Sequence, residues 1–107
     1  MSINMAASYG ISKAAEKDWR SIVRYTLTNF GKRQVNKYTK SLLKCLDDMV
    51  NEVGQHKEID VSGYQVAIKR CQKHYIFGHV GNDERLLIIA ILHEQMDLMQ
   101  RLKTRLN

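Results

Sequence analysis

The stretch of sequence that decides the fold is Arg85-Leu-Leu-Ile-Ile-Ala-Ile-Leu-His93-Glu-Gln-Met-Asp-Leu-Met-Gln-Arg101-Leu-Lys-Thr-Arg105-Leu106. Its first part, from Leu86 to Leu92, is a run of seven consecutive apolar residues. A short run rich in β-branched residues predicts a strand buried on both faces, and it is far too short to span a bilayer. After His93 the apolar residues recur at helical intervals, with basic residues between them. We therefore predict a central strand that ends at a histidine and leads into a basic amphipathic helix.

Two further strands are predicted immediately before this one. Residues 65–70 alternate between apolar and polar side chains, as in a half-buried strand, and residues 74–80 form a second candidate strand. Residues 72–73 and 81–84 are the predicted turns, and residues 55–63 are polar and turn-like. Three successive strands joined by short turns predict an antiparallel meander.

The N-terminal half predicts a short strand and two helices. Tyr9–Ile11 is the candidate strand, and Ser12 suits the position that caps a helix N-terminus. One apolar face then runs from Ala15 to Phe30, Gly31 interrupts the pattern, and a second apolar face runs from Val35 to Val53, before Gly54. Because the break is so short, the two helices are predicted to pack as an antiparallel hairpin.

Together these elements predict one α+β domain over residues 1–107. It consists of an N-terminal helical hairpin packed on a small antiparallel β-sheet, with a C-terminal helix. The hairpin covers one face of the sheet. The other face is exposed, or it is covered by the C-terminal helix or by a partner.

Composition restricts the partners and the compartment. The net charge of +6 and the pI of about 9.5 favour an acidic partner, although a basic surface without a function is the alternative. No leader or membrane-spanning segment is recognisable, so a cytoplasmic protein without a membrane partner is expected. Cys45 and Cys71 form neither a CxxC motif nor a disulfide framework, and Cys45 is predicted to be a buried structural thiol on the apolar stripe.

Basic residues provide one group of candidate contacts. They are spaced by four, three and four residues on the second helix: Arg33, Lys37, Lys40 and Lys44. This spacing places them in one stripe beside the apolar face. An acidic partner and an ordinary solvated face explain the stripe equally well.

No motif for a metal, a cofactor or a catalytic triad is recognisable. Cys71 and His74 could supply two metal ligands, but a zinc site needs about four, and His79 and His93 are the only other obvious candidates, so neither a metal nor a cofactor is expected. His93 could act as a general base if a phosphate-binding arginine such as Arg70 lay nearby. A structural role in closing the strand is the favoured interpretation.

Several strings together resemble the RelE/ParE superfamily of type II toxins, and ParE most closely. They are Ile22-Val-Arg-Tyr-Thr26, Phe30-Gly31, Arg70-Cys-Gln-Lys-His-Tyr-Ile-Phe77 and Ala90-Ile-Leu-His-Glu-Gln-Met-Asp-Leu-Met99. The resemblance implies a toxin that poisons DNA gyrase, blocks replication and is neutralised by a ParD-like antitoxin. Relatives of the RelE type are ribosome-dependent mRNA endonucleases, and this is the alternative function.

On this resemblance we treat the chain as a binding protein with no catalytic residue and no sequence-specific nucleic-acid contact. The candidates for gyrase contact or toxicity are Arg70, His93, Arg101 and Arg105. The candidates for antitoxin contact are Arg33, Lys37, Lys40 and Lys44. Under the nuclease alternative, the residues available are Lys69, Arg70 and His93.

Overall fold

The fold was analysed in a computed structural model, which describes residues 9–51, 57–81 and 85–106. In chain order the elements are β1 (Tyr9–Ile11), α1 (Lys13–Phe30), α2 (Lys32–Asn51), β2 (Glu58–Val61), β3 (Tyr64–Cys71), β4 (His74–Val80), β5 (Leu86–His93) and α3 (Leu98–Leu106). The predicted α+β architecture of helical hairpin, sheet and C-terminal helix is confirmed. No helix within the described residues is both long and apolar enough to cross a membrane.

The start and end of α1 follow from two residues predicted to bound it. The hydroxyl of Ser12 accepts a hydrogen bond from the amide of Ala15 at 3.1 Å. The amide of Ser12 donates to the carbonyl of Ile88 at 2.9 Å, which fixes the helix start to the sheet. Gly31 has a φ of 90°, which a residue with a Cβ rarely adopts, and so the chain turns here into α2. Phe30 was expected on the buried face but is 66% exposed, because it lies in the last turn of the helix.

The sheet has the strand order β1-β5-β4-β3-β2. The strands from β2 to β5 pair in antiparallel fashion, whereas β1 pairs with β5 in parallel. The strand predicted to be central, β5, therefore lies between β1 and β4.

One strand lies where the sequence predicted a turn. Residues 58–61 alternate between exposed and more buried side chains and pair with β3, so the turn-like interpretation of residues 55–63 is wrong there. The turn itself is Ser62-Gly63, where both residues have positive φ. The predicted turn at Gln72-Lys73 is confirmed. Most of the turn predicted over residues 81–84, and the helix end predicted at Val53 and Gly54, lie outside the described residues.

The apolar character of β5 is explained because both of its faces are covered by the chain itself. Ile88 and Ile91 pack in the core beneath α1 and α2, whereas Ile89 and Leu92 pack in a second core that contains Leu102 of α3. Of the three possibilities predicted for the second face of the sheet, the structure shows cover by the C-terminal helix α3 at β5. A β-bulge opposite Phe77 and Gly78 leaves Ile89 without a partner in the ladder. The alternation of side chains between the two faces of β5 therefore shifts by one residue at this point.

The two cysteines form a disulfide between α2 and the end of β3, so the prediction of an unbonded thiol at Cys45 is wrong. The residues are 26 positions apart, with Cα atoms at 6.2 Å, a separation that suits a disulfide. Because α2 packs across the end of β3, folding brings together two cysteines that show no motif in the sequence. Cys71 is 2% exposed, so the bond lies at the boundary of the core.

Candidate functional site

Arg70 is the centre of a polar cluster at one end of the strands β3, β4 and β5. Its guanidinium donates to the Tyr75 hydroxyl at 3.0 Å, to a Glu94 carboxylate oxygen at 2.5 Å and to the Gln72 carbonyl at 3.1 Å. The hydrogen bond to Tyr75 and the negative charge of Glu94 raise the pKa of Arg70. Arg70 and Tyr75 are partners in the β3–β4 ladder, and Glu94 directly follows β5. Three adjacent strand ends therefore build the cluster.

His93 lies next to this cluster and closes β5, as predicted. It faces His74 in the β4–β5 ladder, with the two ring centroids 5.1 Å apart. Its Nδ1 accepts a hydrogen bond from the Gln95 amide at 3.1 Å, which stabilises the turn that follows the strand. This geometry gives His93 a structural task at the junction between β5 and α3.

A second polar pair, Tyr38 and His74, lies on the other face of the sheet and was missed in the sequence. The Tyr38 hydroxyl contacts Nδ1 of His74 and also donates to the Cys71 carbonyl at 3.4 Å. Burial, together with the nearby His93, lowers the pKa of His74 to about 4, and burial raises the pKa of Tyr38 to about 12. At neutral pH the phenol is therefore protonated and the imidazole is neutral. The only signal in the sequence was a tyrosine on an otherwise aliphatic stripe.

This pair predicts a dependence of stability on pH. The unfolded chain binds a proton at His74 near pH 6.5, whereas the folded chain binds it only near pH 4. The stabilising neutral ring is therefore fully present above pH 6.5, and stability falls as the pH decreases from 6.5 towards 4. Thermal melts should show this fall in the parent protein. The fall should be clearly smaller in His74→Gln, and identical pH profiles for the two proteins would contradict the role of His74.

The Arg70 cluster has reactive groups and is open to solvent, since the Arg70 side chain is 54% exposed. It combines the guanidinium of Arg70, the carboxylate of Glu94 and the phenol of Tyr75, and the carboxylate of Glu94 was missed in the sequence. Two cavities, of about 260 and 250 Å³, lie among the described residues: one is beside Gly10 and Leu87, and the other is between Tyr38 and Gln72. Among the described residues, no three His, Cys, Asp or Glu side chains are grouped to hold a metal.

The two candidate arginines of α3 have different surroundings. Arg101 is exposed to solvent. Arg105 is only 23% exposed, and its guanidinium donates to the Asp18 carboxylate at 2.8 Å and to the Ile89 carbonyl at 2.9 Å. Asp18 also accepts from the Ile91 amide at 3.0 Å. β1 pairs with β5 only as far as Ile88, so this ion pair occupies the backbone groups of β5 beyond the end of β1.

The predicted basic stripe of α2 is present as one exposed row. Its members are Arg33, Lys37, Lys40 and Lys44. Only Lys44 has a carboxylate near it among the described residues, that of Asp48 at 3.9 Å. The row lies on α2, whereas Arg70 and His93 lie at strand ends, so the two groups of candidates form separate surfaces.

Comparison with known proteins identifies the class. A family model described as the ParE toxin of type II toxin–antitoxin systems, parDE, matches residues 9–98. The fold agrees with one chain of a solved structure, the chromosomal ParDE TA system from P. aeruginosa. That agreement has a TM-score of 0.66 at 13% identity and covers 80% of this chain and 96% of the other.

A curated relative makes the assignment more specific. The chain is 36% identical over 99 residues to Toxin ParE of Escherichia coli, covering 92% of this chain and 96% of the relative. The chain therefore belongs to the ParE toxin family, within the RelE/ParE superfamily of type II toxins.

Proposed function

We propose that this toxin binds DNA gyrase stoichiometrically, blocks replication in the cytoplasm and is not an enzyme. Membership of the ParE family over residues 9–98 is the observation that carries the proposal. The Arg70 cluster supports it. The Glu94 carboxylate is engaged by Arg70 at 2.5 Å, so neither group is available to activate a hydroxyl or to bind a phosphate without first separating.

The proposed gyrase contacts are the exposed members of the predicted set. Arg70 and Arg101 are exposed, and His93 is half-buried at the end of β5. Arg105 stays in the set only through an indirect role, because its side chain is only 23% exposed, against 54% for Arg70, and its part is to hold α3 in place. A contact that depends on exposed charge should weaken as the salt concentration rises.

A ParD-like antitoxin is the second proposed partner. The row of Arg33, Lys37, Lys40 and Lys44 suits an acidic segment that orders as it binds. Leu43, which is 53% exposed on the same helix, offers an apolar contact for that segment. This proposal predicts that an antitoxin rich in Asp and Glu covers α2.

Substitutions of Arg101 and His93 distinguish inhibition by binding from inhibition by catalysis. We expect Arg101→Glu to raise the concentration needed for half-inhibition of gyrase supercoiling by about tenfold, which corresponds to 1.4 kcal/mol of binding free energy. His93→Ala should keep at least partial inhibition, whereas loss of a general base would lower a catalytic rate by about 100–10,000-fold. Lys57→Glu is the matched control, because Lys57 is exposed beside β2, and it should inhibit like the parent.

A specific observation keeps the endonuclease alternative testable. Arg70, Glu94 and Tyr75 lie within one cluster, His93 directly precedes Glu94, and these are group types that general acid–base cleavage uses. The same variants should therefore be added to ribosomes that translate a labelled message. Cleavage by sub-stoichiometric toxin, with supercoiling untouched by excess toxin, would overturn the gyrase proposal.

A further inference from the structure

The helical hairpin carries a second row of cations, on α1. On α1 the row consists of Lys13, Lys17, Arg20 and Arg24, and all four are exposed. Their spacing of four, three and four residues is the same as that of the row on α2. Positions with this spacing share one face of a helix. The buried residues of α1, Ala15 and Thr26, lie on the opposite side of that helix.

Both rows point away from the sheet on the same side of the molecule. Ala15 of α1 and Leu42 and Leu46 of α2 belong to one core, so the two helices form a single layer on one face of the sheet. Helices packed in a layer have axes about 8–10 Å apart. Each row is about 17 Å long at 1.5 Å per residue. The outer surface of the hairpin therefore presents eight cations in two adjacent rows, four on each helix.

Negative charge is excluded from most of this surface. Residues 19–46 contain seven Lys or Arg and no Asp or Glu. The nearby carboxylates, Glu16, Asp47 and Asp48, lie at the open end of the hairpin, where α1 begins and α2 ends. Positive charge therefore increases towards the turn at Gly31, which is the distribution expected of a surface that attracts a polyanion.

We propose that the outer face of the hairpin binds the phosphate backbone of duplex DNA without sequence preference. Duplex DNA presents one negative charge per about 1.7 Å of axis, so both rows meet several phosphates at once. Long, exposed Lys and Arg side chains suit such contacts, which need no buried pocket. The proposal goes beyond gyrase binding and does not depend on it. An antitoxin that covers α2 would compete with DNA for this face.

The test measures binding of purified toxin to a fluorescent 20-base-pair duplex by anisotropy, without gyrase, between 50 and 200 mM KCl. If about five phosphates are contacted, log affinity should fall with log salt at a slope of about −4.5. Arg20→Glu/Arg24→Glu should weaken binding about tenfold or more and reduce the slope by about 2. Arg20→Lys/Arg24→Lys should retain binding, because a point charge suffices for a phosphate.

The matched control reverses two exposed cations outside the hairpin, Lys57→Glu/Lys103→Glu, and should leave the affinity within about twofold of the parent. Thermal melts establish that each variant is folded. Equal losses in the two double reversals would overturn the proposal, because they would reflect net charge alone. No binding at 50 mM KCl would also overturn it. Displacement of the labelled DNA by polyglutamate at a much lower concentration of charge than unlabelled duplex requires would overturn it in favour of an acidic protein.

Discussion

Replacing Arg105 with alanine is expected to lower the free energy of unfolding by about 3 kcal/mol, since the partly buried carboxylate of Asp18 would lose its cation. Asp18 is 16% exposed, and water therefore compensates it poorly. For a domain of this size such a loss lowers the melting temperature by more than about 10 °C. Thermal and denaturant unfolding of the purified protein measure both quantities. Arg105, a candidate for gyrase contact, is thus expected to act mainly by stabilising the fold.

Arg101→Ala is the matched control, because Arg101 lies one turn earlier on the same helix and is exposed. We expect it to change the unfolding free energy by less than about 0.5 kcal/mol. Arg105→Lys should give an intermediate result, because it keeps the charge but loses the forked geometry. If Arg105→Ala melted with the parent, the ion pair would have no role in stability.

Loss of the disulfide is expected to have an effect of similar size. Cys45→Ser should lower the unfolding free energy of the oxidised protein by about 3 kcal/mol, because the bond closes a loop between residues 26 positions apart and restricts the unfolded chain. Urea unfolding under oxidising conditions measures the difference. With excess dithiothreitol the parent should lose most of this advantage, so that its curve approaches that of the variant.

Thiol titration provides the independent check on the same bond. In denaturant without reductant, the oxidised parent should show no reactive thiol and Cys45→Ser should show one, that of Cys71. Two thiols in the parent, together with unfolding curves that coincide before and after reduction, would show that the bond does not form in solution.

Local patterns were sufficient to predict most elements of this fold. The helical spacing from Ala15 to Phe30, the cap at Ser12 and the apolar run from Leu86 to Leu92 each depend on neighbours in sequence, and all three predicted the elements that the structure shows. The strand β2 was missed because four alternating residues are too short to distinguish from a polar loop before their pairing with β3 is known.

The polar interactions were much less predictable, because they join residues distant in sequence. Arg105 and Asp18 are 87 residues apart, and His74 and Tyr38 are 36 apart. No local pattern specifies either pair, since each depends on how helices pack against the sheet. The favoured interpretation, that His93 closes its strand, could be inferred from its position alone. The ion pair between Arg70 and Glu94 could not be predicted, because it depends on the register in which β3, β4 and β5 pair.

The ion pair between Arg105 and Asp18 also bears on the resistance of this protein to aggregation. An uncovered strand edge is a template for pairing with another chain, and proteins commonly protect such edges with charged side chains. Here the two charged groups occupy the Ile89 carbonyl and the Ile91 amide, where β1 has already ended. A toxin that has lost this protection would present a short, strongly apolar strand to its neighbours. Aggregation through β5, before complete unfolding, is therefore the failure expected of Arg105 variants at high concentration.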